Sequence, residues 1–242
     1  MRWKRGHVSK DVEDRRGRPA GKRGVALGGV GLAIAAIAIL LNGGGIKELL
    51  GLASSSGSSA TTTSSDPPSA EQDELFQFIS SQLDDQQDTW AAIFKTKGKR
   101  YQRATLVVFN DGVKSACGTQ GKEVGPFYCP ADQKAYIDLS FYKQLAGLGG
   151  PGDFAQAYVL AHEIGHHVQT ITGTADKVRR LKSRNRAGAN ALSVRSELQA
   201  DCYAGVWAHS AAERNKLEMG DLEEGLKAAA AIGDDTLQGR GG

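Results

Sequence analysis

Cysteine is scarce in this chain and never closely paired. Cys117, Cys129 and Cys202 are its three cysteines in 242 residues, with no C-x-x-C spacing among them. That argues against a thiolate zinc site. Cys117 and Cys129 bracket a short Gly-containing loop and, in an exported domain, are expected to form a disulfide, which leaves Cys202 over. No cysteine follows the apolar run at a lipoprotein position, and no A-x-A cleavage sequence follows Leu41, so a cleaved leader is disfavoured.

Charge of neither sign dominates, since the net is +3. Its distribution is uneven. Residues 1–24 carry nine Lys/Arg against three acidic residues, which leaves the remainder mildly acidic. Charge is missing altogether from Val25 to Leu41, 17 residues at the short end of the membrane-spanning range. The basic residues crowd one side of that run, so the positive-inside rule predicts an uncleaved signal anchor with its N-terminus cytoplasmic. The peptide-bearing body would then lie in the periplasm or outside the cell, and the run would contact the lipid bilayer of the inner membrane. Cations beside a span need no nucleic-acid partner. Residues 42–70 are rich in Gly, Ser and Thr with Pro67-Pro68 near the end, a tether that cannot bury a core.

The body, residues 71–242, reads as α+β: a mostly helical domain with a small β-sheet, preceded by the transmembrane helix. Ser69 and Gln72 form a capping box before a helix with Leu75, Ile79, Leu83, Trp90 and Phe94 at helical spacing. Thr105–Phe109 and Ala135–Tyr142 read as strands. The edge at Tyr136–Leu139 is a candidate for receiving an extended peptide. Asp153 and Gln156 fit a capping box for the next helix. The basic stretch 176–191 reads as a solvated face or loop. Helices are expected at Ser193–Asn215, with Val194, Leu198, Gly205 and Val206 as its packing side, and at Asp221–Ala231.

The chemistry concentrates in His162-Glu163-Ile164-Gly165-His166. On a helix each residue turns by about 100°, so His162 and His166 lie about 40° apart and Glu163 falls on the same side. Two imidazoles one turn apart can share a Zn²⁺, with the carboxylate beside its open position. A catalytic zinc takes three protein ligands. Glu197, four residues before Asp201 on one helix face, is the expected third ligand, in a gluzincin-type set. Asp201 would accept the free ring N–H of His162. Glu163 would act as general base. His167 points away from the ligands and reads as structural, and His209 as an ordinary helix histidine.

Further blocks carry a resemblance: Met1-Arg-Trp, Val12-Glu-Asp-Arg-Arg-Gly17, Gly125-Pro-Phe-Tyr-Cys-Pro130, Tyr136-Ile-Asp-Leu139, Glu197-Leu-Gln-Ala-Asp-Cys-Tyr-Ala-Gly205 and Ala231-Ile-Gly-Asp-Asp235. With the histidine motif they resemble the bacterial neutral zinc metallopeptidase family across nearly the whole chain. The resemblance implies a membrane-anchored zincin and the same roles for His162, Glu163, His166 and Glu197. Family members continue beyond the Gly-Asp-Asp block with a Thr-His-Gly stretch and a further Cys, which this chain does not reach. That Cys would be the partner of Cys202, and the His resembles an oxyanion-stabilising group. The expected function is therefore hydrolysis of envelope proteins or peptides by a zinc endopeptidase. The alternative is a non-catalytic, membrane-tethered zinc module that binds a partner.

Overall fold

The longest helix begins where its capping box places it. In this computed structural model Ser69 Oγ accepts the Gln72 N–H at 3.2 Å and the Gln72 side chain accepts the Ser69 N–H at 3.1 Å, opening α1 (Ala70–Thr96). The structure describes residues 1–17, 68–121, 125–147 and 150–232. Ile79, Leu83 and Trp90 of α1 are buried in the main core, each worth about 1.5–3 kcal/mol over exposure. A second face of α1 is buried and polar. Asp85 there accepts the Trp207 indole N–H at 2.9 Å and pairs with Arg214 and Lys216. Burial alone would raise the Asp85 pKa, but Arg214, Lys216 and Trp207 hold it below the usual carboxylate value.

The sheet has the order β1-β2-β6-β5. Strand β1 is Val12–Asp14, β2 Thr105–Phe109, β5 Phe127–Cys129 and β6 Lys134–Asp138. β1, β2 and β6 run parallel, and β5 pairs antiparallel to β6. A separate hairpin joins β3 (Gly112–Ser115) to β4 (Gly118–Gly121). The Cys117–Cys129 disulfide ties its turn to β5. Closing a loop of that separation removes about 3 kcal/mol of unfolded-chain entropy.

Five helices follow or flank the sheet: α2 (Phe141–Gly147), α3 (Asp153–Ile171), α4 (Thr174–Arg184), α5 (Ala189–Glu213) and α6 (Asp221–Ile232). Helix α3 is central and packs on α5, α6 and α1. It is buried along nearly its whole length.

Several sequence-based expectations are corrected. The α+β, mostly helical body is present, but the transmembrane helix expected ahead of it is not found among the described residues. No helix among the described residues is long and apolar enough to cross a membrane. The run 25–41, its proposed bilayer contact and most of the tether lie outside the described residues. Residues 1–17 also pack into the same body as the helices, because β1 hydrogen-bonds with β2. A three-residue strand is too short for periodicity to reveal it.

The expected peptide-receiving edge at Tyr136–Leu139 is covered at Tyr136, where β5 pairs with β6 through Phe127, and β2 pairs with the other side of β6 from Lys134 to Asp138. Phe141 and Tyr142 belong to α2, whereas the basic stretch is solvated as expected, its first part as helix α4 with no buried residue. Helix α5 presents Val194, Leu198 and Val206 to solvent, and packs through Ala200, Ala204, Trp207 and Ala211. Small residues were the contact face because α3 approaches so closely there.

Candidate metal centre

That close approach depends on one glycine inside the histidine motif. A Cβ on Gly165 would sit 2.9 Å from the Ala200 carbonyl oxygen and 3.0 Å from its Cα. Without a side chain at 165, α3 and α5 come within backbone contact. His162 and His166 of α3 thereby face Glu197, one turn before Ala200 on α5.

Glu197 Oε2 lies 3.3 Å from His162 Nε2 and 3.2 Å from His166 Nε2. The two imidazoles stand nearly perpendicular, with centroids 4.8 Å apart. Zinc–nitrogen and zinc–oxygen bonds of about 2.0–2.1 Å give a tetrahedron with edges of roughly 3.3 Å. The two separations match such an edge, so Glu197 and the two imidazoles suit a shared tetrahedral ion.

Each ring is held by its other nitrogen. Asp201 Oδ1 accepts His162 Nδ1–H at 2.8 Å, and Tyr158 donates its hydroxyl to the same oxygen at 2.7 Å. Gln169 Oε1 accepts His166 Nδ1–H at 3.0 Å. The Gln169 amide nitrogen donates to the Ser196 carbonyl at 2.7 Å and to Gln199 Oε1 at 3.1 Å, which fixes the orientation of the side chain. With Nδ1 committed to these acceptors, each Nε2 faces Glu197: protonated, it donates to the carboxylate, and once its proton is displaced it can bind a metal.

Electrostatics agree. Burial lowers the His162 pKa, but Asp201, Glu197 and Glu163 outweigh it and push it up to about 10. His166 is raised for related reasons, burial being opposed by Glu197 and Glu163. Burial also acts against Glu197, yet the two imidazoles hold it well below the usual carboxylate range. In the absence of a cation the cluster keeps protons that a bound metal would displace.

Glu163 is buried on the same side of α3. Burial pushes its pKa up; His166 and His162 act in the opposite direction, as does a hydrogen bond from the Tyr128 backbone. A carboxylate poised above its ordinary value is suited to accept and return a proton. His167 belongs to the scaffold. Its Nε2–H donates to the Gln102 carbonyl at 2.6 Å, its Nδ1 accepts the Tyr128 hydroxyl at 3.0 Å, and burial lowers its pKa. His209 is exposed on α5 near Glu213.

Three positioning residues were not singled out from the sequence: Tyr158, Gln169 and Gly165. Tyr158 lies four residues before His162 and Gln169 three after His166, so helical spacing could have marked both. Cys202 is exposed and unpaired.

A second group of ligand-type side chains, Asp153, Asp221 and Glu224, gathers at the N-terminus of α3. Its cation is the chain's own ammonium. Met1 N bonds Asp153 at 2.7 and 2.8 Å and lies 3.5 Å from Asp221. Asp153 does not cap α3, contrary to the expected box. The N-cap is Gly152 at φ 112°, and Glu224 reaches across from α6 to accept the Phe154 N–H at 3.2 Å.

A buried glutamate beside a His₂-carboxylate metal centre on a helix pair defines a zinc-peptidase type of site. A family profile described as "Putative neutral zinc metallopeptidase" matches residues 1–242, and the chain belongs to that family. It is 47% identical over 245 residues to the uncharacterized protein YpfJ of Escherichia coli K12, covering 98% of this chain and 85% of that protein. It is 41% identical over 161 residues to the uncharacterized protein Rv2575 of Mycobacterium tuberculosis, covering 61% of this chain and 53% of that one. No solved structure matches. The family implies a zinc cofactor and a protein or peptide substrate.

Proposed function

We propose that the chain is a zinc endopeptidase in which His162, His166 and Glu197 hold the metal and Glu163 is the general base. The observation that carries this reading is the pair of 3.2–3.3 Å separations between Glu197 and the two imidazoles, with Glu163 buried alongside. Zinc held there supplies Lewis acidity toward a water and a peptide carbonyl. Glu163 takes the proton from the attacking water on its carboxylate and returns it to the leaving amine. Asp201 and Gln169 keep the ring nitrogens in register throughout, so the protein does not reorganise during the reaction. Tyr158 holds Asp201 against His162.

An exported setting is supported by the Cys117–Cys129 disulfide, which persists in oxidising compartments. Cleavage of an unfolded protein such as casein tests the chemistry. Glu163→Gln is expected to lower turnover by about 10²–10⁴-fold while zinc content stays at the wild-type level. Undiminished proteolysis by that variant would remove Glu163 from the mechanism. Zinc binding without any turnover by the wild-type chain would favour the partner-binding alternative.

A further inference from the structure

Cations in the described structure fall into two populations. Arg16, Arg103, Lys134, Arg214 and Lys216 each pair with carboxylates and stitch elements together. Around α4 and the start of α5 the pattern reverses. Lys177, Arg180, Lys182, Arg184, Arg186 and Arg195 make no ion pair among the described residues, and within the stretch only Arg179 does, with Asp176 at 3.0 Å. No residue of α4 is buried, so the cations there do not serve the core.

This arrangement also costs the helix something. Lys177 and Arg180 are three residues apart, and Arg180 and Arg184 four, so like charges sit over one another along α4. Such pairs destabilise a helix; the Arg179–Asp176 pair and the placement of Lys182 and Arg184 in the last turn offset only part of this. A binding partner of opposite charge would relieve more of it.

The position of the stretch narrows that partner. Helix α4 begins eight residues after His166, and α5 reaches Glu197 eight residues after it begins. The basic helix therefore joins the two ligand-bearing helices, and α3 ends about 7.5 Å along its axis from His166, with two residues between it and α4. Exposed Leu181, Val194 and Leu198 are interspersed with the cations. Leu198 is next to the ligand Glu197. A partner seated here is delivered to the metal centre, which favours a substrate over a remote anion.

We propose that α4 and the first turns of α5 form a docking surface for an acidic segment of the polypeptide substrate. Carboxylates of the substrate would pair with the free guanidinium and ammonium groups, and their apolar neighbours would lie against Leu181, Val194 and Leu198. The proposal rests on the peptidase reading for the word substrate, and on the charge pattern for the surface. Long-range attraction of this kind raises encounter rates and is screened by salt.

The test uses the full chain carrying Glu163→Gln, so that bound peptide is not consumed, and three labelled unfolded peptides with one common core. Their flanks are rich in Glu and Asp, in Ser, or in Lys. Fluorescence anisotropy is expected to show the acidic peptide binding roughly tenfold more tightly than the Ser peptide. The difference should vanish in about 1 M salt, where screening shortens to roughly 3 Å. Replacing Arg180, Arg184 and Arg186 together with Ser is expected to abolish the preference. Removing the same charge elsewhere, by Lys10→Ser, Lys114→Ser and Lys227→Ser, should leave it intact.

Equal affinity for acidic and Ser peptides would overturn the proposal, as would equal loss in both triple variants. Phosphatidylglycerol vesicles or duplex DNA that occupy the surface without competition from the acidic peptide would also overturn it. Wild-type chain with zinc then separates the two readings. Cleavage with no acidic preference sinks the docking surface alone. Acidic-selective binding with no cleavage of any peptide sinks the peptidase alone.

Discussion

Helix α3 carries two clusters of ligand-type side chains, and they differ in kind. At its N-terminus Asp153 joins Asp221 and Glu224 around the Met1 ammonium. In its second half His162 and His166 face Glu197. The first cluster is all carboxylate, and the chain fills it with a cation of its own. The second mixes two imidazoles with one carboxylate, and each imidazole is oriented from behind by Asp201 or Gln169. The comparison teaches that acidic residues close together do not define a metal centre. Oriented imidazoles with a fixed tautomer, at the spacing of a tetrahedron edge, do.

The comparison is broken most severely at Gly165. Gly165→Ala is expected to push α5 from α3 and to weaken zinc binding by about 100-fold, because a displacement on the order of 1 Å undoes a positioned site. Competition with a chelating dye measures this, and circular dichroism checks that the helices remain. Asp201→Asn and Gln169→Ala come next, each costing about 10–100-fold in zinc affinity with the three ligands still present. Asp221→Asn touches only the other cluster. It is expected to lower stability by about 1 kcal/mol, read by urea unfolding, with no change in zinc affinity.

The two clusters should also respond to pH in opposite directions. Burial lowers the Met1 amine pKa, but Asp153, Asp221 and Glu218 raise it above its ordinary value. The contribution of a group raised in the folded state is complete below its unfolded pKa, near 8. It is lost as pH rises through the folded value, so this end of α3 weakens in alkali. At the metal centre protons compete with zinc for imidazoles whose pKa is raised, so affinity falls as pH falls. Thermal unfolding of the metal-free chain and zinc titration, each across pH, separate the two trends.

What could be read from the sequence was local. The Ser69 box opens α1, Thr105–Phe109 is a strand, and the histidine motif lies on a helix, because each rests on neighbours a few residues apart. His162, His166 and Glu197 do converge, together with Asp201. The features that were not legible depend on distant partners. Glu224 caps α3 from α6, β1 is three residues joined to a strand some 90 positions later, and the N-terminal residues fold with the domain rather than apart from it. The packing face of α5 was misjudged because larger apolar residues were expected to face the core. The contact is made by Ala200 and Ala204, which admit a backbone-close neighbour.

Zinc content per chain, measured by mass spectrometry on wild-type, Glu197→Ala and Asp221→Asn proteins purified alike, tests the distinction between the clusters most directly. One zinc in the wild type and in Asp221→Asn, with none in Glu197→Ala, is the expected result. Zinc retained by Glu197→Ala and lost by Asp221→Asn would place the metal at the wrong end of α3 and contradict the assignment.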